Sequence, residues 1–265
     1  MLFSAEEKPS GTPVLAMNPA ANPTIHRISL VDTPARLLRE RLAAIAEASG
    51  TADSAEAKHS TLVEIDDAKG QDFALMSLMA PVRLHVKGPL GHYAFAYNYG
   101  VDARIDGDVG NGAGEGLRGG SVRVRGNAGL GFGVAMRGGT LAVYGTAGDR
   151  MAAAMVGGEV FARGDVGEDA GVGARGGTIV IGGDAGPRLG ESQGELIIFL
   201  RGKAASLAPG MVEVALRKRD ELRLGLLLIN ASIRGDAKDF RRVIPQRVLQ
   251  AERERKRGEV DPNWR

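Results

Sequence analysis

The side chains most able to do chemistry in this sequence are four histidines, His26, His59, His85 and His92, and a set of recurring aspartates, Asp106, Asp108, Asp165 and Asp184. The histidines have no metal-ligand spacing. A stacked aspartate column is the chemistry of calcium, but here Asn127 and Thr146 interrupt it and the calcium-binding nonapeptide repeat is missing. Aspartate also forms turns by bonding its own backbone. Two stretches, 114–119 and 171–176, match the dinucleotide pattern G-x-G-x-x-G. They lie 57 residues apart in one register, three turns of a longer repeat, and neither leads into a helix pattern. Gly190-Glu191-Ser192-Gln193-Gly194 matches G-x-S-x-G, yet all four histidines precede Ser192, so the acid-then-histidine order of a nucleophile elbow is missing. The sequence has no cysteine, which excludes disulfides, iron–sulfur ligation and a thiol nucleophile on this chain. No catalytic, cofactor-binding or metal residue is assigned.

The repeat that generates these matches is a column of seven glycines, Gly88, Gly107, Gly126, Gly145, Gly164, Gly183 and Gly202, each 19 residues after the last. A fixed period of this length means one structural unit stacked on itself. Four residues before each glycine stand Leu84, Ala103, Val122, Leu141, Val160, Ile179 and Ile198; two before stand Val86, Ile105, Val124, Val143, Ala162, Ile181 and Leu200. Apolar positions at i, i+2 share one face of a short strand. Between them Arg104, Arg123, Ala142, Phe161, Val180 and Phe199 point outward, to solvent or a partner. Paired glycines such as Gly138-Gly139 supply the positive φ of a tight corner. Four glycines per unit, at about 1 kcal/mol each, exclude a helical repeat. The reading is an all-β, single-stranded parallel β-helix of about seven 19-residue coils, roughly 30 Å long at the strand spacing. Gly145 is expected at positive φ inside the glycine ladder.

The flanks divide as follows: residues 1–24 a disordered leader, 25–80 a small α/β cap, 81–210 the β-helix, and 211–265 a helical extension and docking tail. In the cap, strands are expected at 26–30, 61–65 and 73–78, with a helix at 33–48. The apolar run 222–233 is expected to pack at the far end of the prism. Hydrophobic residues make up 43% of the chain, enough for a core, and aromatics only 5%, which suits a narrow interior. With 34 basic and 32 acidic residues the net charge is +2, no electrostatic case for nucleic acid. The absence of an 18-residue apolar stretch and of an apolar signal core leads to a cytoplasmic expectation. Candidate interface residues are Tyr93, Phe95, Tyr97 and Tyr99, three of the four tyrosines crowding one coil, together with Phe240 and Trp264 in the tail.

The glycine pattern of 81–216, including Gly126-Asn127-Ala128-Gly129, Gly164-Asp165-Val166-Gly167 and Gly183-Asp184-Ala185-Gly186, resembles the G-x-G-x-G domain family. That family includes the C-terminal domain of the glutamate synthase large subunit and its free-standing counterparts, as in N-methylglutamate synthase. It also includes the β-helix subunits of formylmethanofuran dehydrogenase and of the formyltransferase/hydrolase complex. The stretches 80–91 and 200–214 look most like the free-standing glutamate synthase-like subunits. The resemblance implies a right-handed β-helix and a noncatalytic structural role. It further implies a hetero-oligomer in which a class II glutamine amidotransferase subunit and an FMN-dependent synthase subunit are the partners. FMN and iron–sulfur clusters would sit on those partners and none on this chain. The alternative it carries is the β-helix subunit of a formyltransferase/hydrolase complex, formylmethanofuran dehydrogenase-like, in one-carbon metabolism.

Overall fold

The computed structural model of the chain describes residues 24–50 and 61–254. The leader up to residue 23, His59 and Trp264 lie outside the described residues.

The 19-residue period becomes a solenoid. Strands β3 (Arg83–Val86), β4 (Val101–Ile105), β5 (Gly120–Val124), β6 (Thr140–Val143), β7 (Glu159–Ala162), β8 (Thr178–Ile181) and β9 (Ile197–Leu200) stack in parallel. Their register puts Leu84, Ala103, Val122, Leu141, Val160, Ile179 and Ile198 in one line, all buried. Two earlier strands, β1 (Thr24–Ser29) and β2 (Thr61–Asp66), extend the same parallel sheet. Residues 25–80 thus contribute rungs, with helix α1 (Ala35–Gly50) in the connection burying Leu38 and Leu42 in the core. A second side of the prism is a ladder of single bridges through Leu90, Val109, Ala128, Ala147, Val166 and Ala185.

The third side has no strands, and only the single bridges Ala174–Ser192 and Leu189–Leu207 in its last coils, among the described residues. Alternate residues there have positive φ: Phe73, Leu75 and Ser77; Tyr93, Phe95 and Tyr97; Gly112, Gly114 and Gly116; Arg150, Ala152 and Ala154. The N–H groups of successive positive-φ residues in one coil consequently point to opposite neighbouring coils. Tyr93 donates to Asn111 O (2.8 Å) and Phe95 to Ala74 O (3.1 Å). Residues 73–78, expected as a strand, belong to this ribbon; alternating φ reverses every second peptide and denies them the strand pleat.

Apart from Gly88 (φ 111), the ladder glycines are required by proximity rather than by φ. Gly145 is not among the positive-φ residues; a Cβ there would overlap Asn127 Oδ1 and stand 2.6 Å from Gly126 O in the coil beneath. Positive φ falls instead on the second glycine of the corner pairs, as at Gly139 (φ 83).

The chain leaves the prism through β10 (Met211–Val214), helix α2 (Lys218–Asn230), a short 3₁₀ turn (Ala237–Asp239), β11 (Arg241–Pro245) and helix α3 (Gln246–Glu254). β11 inserts antiparallel between β9 and β10, and Val243 and Met211 join the core. The last rung is therefore closed by strands. The 222–233 run does not cover that end. α2 lies on the outer face of the sheet, where Leu224, Leu227 and Leu228 bury Ala142, Phe161, Val180 and Phe199. Those four outward side chains are apolar because the chain covers them itself.

Candidate functional site

Titratable groups gather on the outer face of the first rungs. The outward column runs Arg27, Glu64, His85, Arg104 and Arg123 before turning apolar. Lys87 Nζ (2.9 Å) and Arg27 Nε (3.0 Å) both meet Glu64 Oε2, and those hydrogen bonds hold its carboxyl below the usual range. His85 Nε2 lies 2.6 Å from Asp106 Oδ2, while Arg104 and Arg125 stand 3.3 Å from Oδ1. Burial raises the Asp106 pKa, and the bonds from His85 and Arg104 outweigh it, so the group ends below its ordinary value. A carboxylate so compensated stitches neighbouring rungs together.

The turn columns serve the backbone. Asp108 Oδ1 accepts Asn127 N–H (2.7 Å), Asn127 Oδ1 accepts Thr146 N–H (2.9 Å), and Asp165 Oδ1 accepts Asp184 N–H (2.7 Å). One corner over, Asn111 N–H donates to His92 Nδ1 (3.0 Å) and Asn111 Oδ1 accepts Leu130 N–H (2.9 Å). Each side chain satisfies a corner N–H of the next coil, and asparagine or histidine fills the role that aspartate has elsewhere. Among the described residues no three histidine, aspartate or glutamate side chains converge on a common point. Ser192 Oγ donates to Ala174 O (2.6 Å) and accepts Gly194 N–H (3.0 Å), which fixes a corner. Both G-x-G-x-x-G stretches run into strands, β5 and β8.

Two surfaces remain. The first is on the alternating-φ side. Tyr93, Tyr97 and Tyr99 are exposed, joined by Phe73 and Met79 from the coil below. The Phe73 and Tyr93 rings stack with centroids 5.5 Å apart and planes 2° from parallel. On the next coil Gly112 and Gly116 have no side chain, and a Cβ at either would stand 2.7 Å or 2.6 Å from the Tyr93 or Tyr97 ring. The rings thus close over bare backbone. Tyr97 Oη donates to Glu115 Oε1 (2.5 Å), a bond that raises the phenol pKa. Phe95 lies at the middle position of the same ribbon, which faces the interior, and is 1% exposed. Phe240 is likewise buried, under α2 and beneath the Arg201 guanidinium. Neither lies on the surface expected for it. Phe73 and Met79 escape the sequence reading because 73–78 reads there as a strand; Phe73 standing one coil before Tyr93 is the signal that finds it.

The second surface is α2. The Arg217 N–H donates to Asp220 Oδ2 (3.0 Å) at its start, while Arg123 Nη2 and Tyr144 Oη donate to Asn230 O (3.1 Å) and Ala231 O (2.9 Å) at its end. Opposite the buried face, Leu222, Leu226 and Ile229 are 68%, 65% and 73% exposed. Along one flank a groove mixes Glu159 and Glu195 with Arg175 and Arg223. No described helix is long and apolar enough to cross a membrane.

No family model matches the chain, and no curated protein matches it. Among solved structures the chain is similar to the X-ray crystal structure of the formyltransferase/hydrolase complex from Methylorubrum extorquens in complex with methylofuran. The match is at 20% identity and a TM-score of 0.47, over 66% of this chain and 68% of that chain. At that overlap the likeness decides neither what this chain binds nor what it assembles with.

Proposed function

We propose that the chain is a noncatalytic β-helix subunit of a hetero-oligomeric enzyme complex of the formyltransferase/hydrolase type, in one-carbon metabolism. The observation that carries the subunit reading is the aromatic patch of Phe73, Met79, Tyr93, Tyr97 and Tyr99. From the exposed fractions of these five residues it amounts to on the order of 500 Å² of largely apolar surface, the size at which a patch marks a binding face. Its rings stand on a rigid ribbon, so little conformational entropy is lost when a partner covers them. A second reading, a glutamate synthase-type complex, rests on the stretches 80–91 and 200–214. In that reading an amidotransferase chain and an FMN synthase chain are the partners and carry the flavin and iron–sulfur groups.

Purifying the tagged chain from its native host, with mass spectrometry of co-eluting chains and an absorbance spectrum, tests both. Formyltransferase- and amidohydrolase-type chains in a flavin-free eluate are the expected result. A yellow-brown eluate with an amidotransferase chain replaces it with the second reading. A colourless chain eluting alone removes the subunit role.

A further inference from the structure

At the N-terminal end of the prism the chain leaves β1, turns through residues 30–34 and enters α1, and this segment stands over residues 71–76 of the alternating-φ ribbon. Between the two lies a cavity of about 460 Å³. That volume falls in the lower half of the range of small-molecule sites, roughly 300–1,000 Å³. Leu30, Pro34, Leu38 and Leu75 give the cavity an apolar lining, and Phe73 forms part of its wall. One face of the Phe73 ring is taken by Tyr93 of the next coil. Among the described residues no ring meets the other face, which looks back toward α1 and the cavity.

The polar side chains of the lining divide into used and unused. Gln71 is taken up by Asp67 O and Lys69 N–H, and Asp72 Oδ1 by His92 N–H. Thr33 is only 8% exposed, yet its hydroxyl has no hydrogen-bond partner among the described residues. A hydroxyl buried without a partner is unfavourable unless something else supplies one. Asp32 and Arg39, at the same cavity, form no ion pair among the described residues.

From this arrangement we infer that the cavity binds a small planar heteroaromatic molecule, of the size and class of a nucleoside. Its ring continues the stack on the free face of Phe73. Its edge presents an acceptor to Arg39 and an N–H donor to Asp32, and the Thr33 hydroxyl serves either way. Phosphorylated forms fit less well, because Asp32 and Asp72 outnumber Arg39 in the lining. The site lies beneath the aromatic patch and shares only Phe73 with it, so it stands whether or not the subunit reading does.

The test is calorimetry and ligand-observed saturation-transfer NMR on the full chain, with guanosine and adenosine as the ligands tried. Saturable binding is expected, with transfer strongest to the base protons. Phe73→Ala should weaken it about tenfold, and Phe73→Tyr should keep it, since the stacking face is retained. Thr33→Val should weaken it about threefold and leave the thermal unfolding of the unliganded chain unchanged, because the hydroxyl makes no bond there. The 5′-monophosphates should bind more weakly than the nucleosides. No saturable binding of either nucleoside at millimolar concentration overturns the inference. Equal affinity in Phe73→Ala overturns it as well, and so does tighter binding of the monophosphates, which would place the ligand on surface arginines instead.

Discussion

At the scale of single residues, this fold asks for glycine for reasons that residue type alone does not separate. Gly145 is needed because the coil beneath is too close for any Cβ. Gly225 is needed for nothing within the chain, being half-buried in mid-helix with open space where a Cβ would stand. Alanine should therefore act with opposite signs at the two. Gly145→Ala is expected to cost about 3 kcal/mol or more, since the overlap is partly with backbone that cannot rotate away. Gly225→Ala is expected to stabilise the isolated chain by about 0.5–1 kcal/mol through helix propensity. Thermal unfolding of both variants measures this, and a loss of stability at Gly225 would mean that the space there is filled. The 19-residue ladder was legible in the sequence because backbone proximity admits a single residue type. Its cause was not legible, since close approach and positive φ both select glycine. Tyr93, Phe95 and Tyr97 mark the converse limit. They occupy positive φ although nothing in tyrosine or phenylalanine signals it, and a run of six such residues reads as a strand.

At the scale of elements, the switch of the outward column from Arg104 and Arg123 to Ala142, Phe161, Val180 and Phe199 was visible in the sequence. It says that something covers the last four rungs. That the cover is α2, returning from beyond β10, depends on a contact between residues far apart in sequence, which local pattern does not encode. The two apolar faces of α2 are expected to behave differently in the isolated chain. Leu224→Ala removes a side chain with no exposure, packed among the outward apolar residues, and should cost about 3 kcal/mol. Leu226→Ala should change stability by less than about 0.5 kcal/mol. Chemical denaturation of the two variants checks this, and equal costs would place Leu226 in a packed environment.

At the scale of the whole molecule, the solenoid must hold its C-terminal end shut, and it does so with charge as well as apolar contact. Arg242, on β11 and 2% exposed, donates from both terminal nitrogens to Glu252 on α3 (3.0 and 2.8 Å) and lies 3.5 Å from Asp220 on α2. Arg217 joins the same two carboxylates, 2.8 Å from each. Three elements that follow the last rung are thereby tied to one another and to the sheet. Burial pushes the Asp220 carboxyl up. The hydrogen bonds from the Arg217 side chain and backbone, with the charges of Arg242 and Arg217, outweigh that and leave it below its ordinary value of 3.8. A carboxyl whose folded-state pKa is depressed contributes stability that is fully present above the unfolded value. It loses that contribution as pH falls through the folded one. Asp220→Asn should thus be destabilising by about 1–3 kcal/mol at neutral pH, where it removes a charged acceptor from the buried Arg242 and the half-buried Arg217. The gap between the variant and the parent should begin to close as pH drops below 3.8, where the unfolded chain takes up the proton first, and continue to close until the folded-state carboxyl, which titrates lower, is protonated too. The other depressed carboxylates, Glu64, Asp106 and Asp169, titrate alike in both chains and cancel from the difference. Thermal unfolding of parent and variant between pH 7 and pH 3 reads the clasp directly. A gap of constant size across that range would show that Asp220 holds the end by packing and not by its charge.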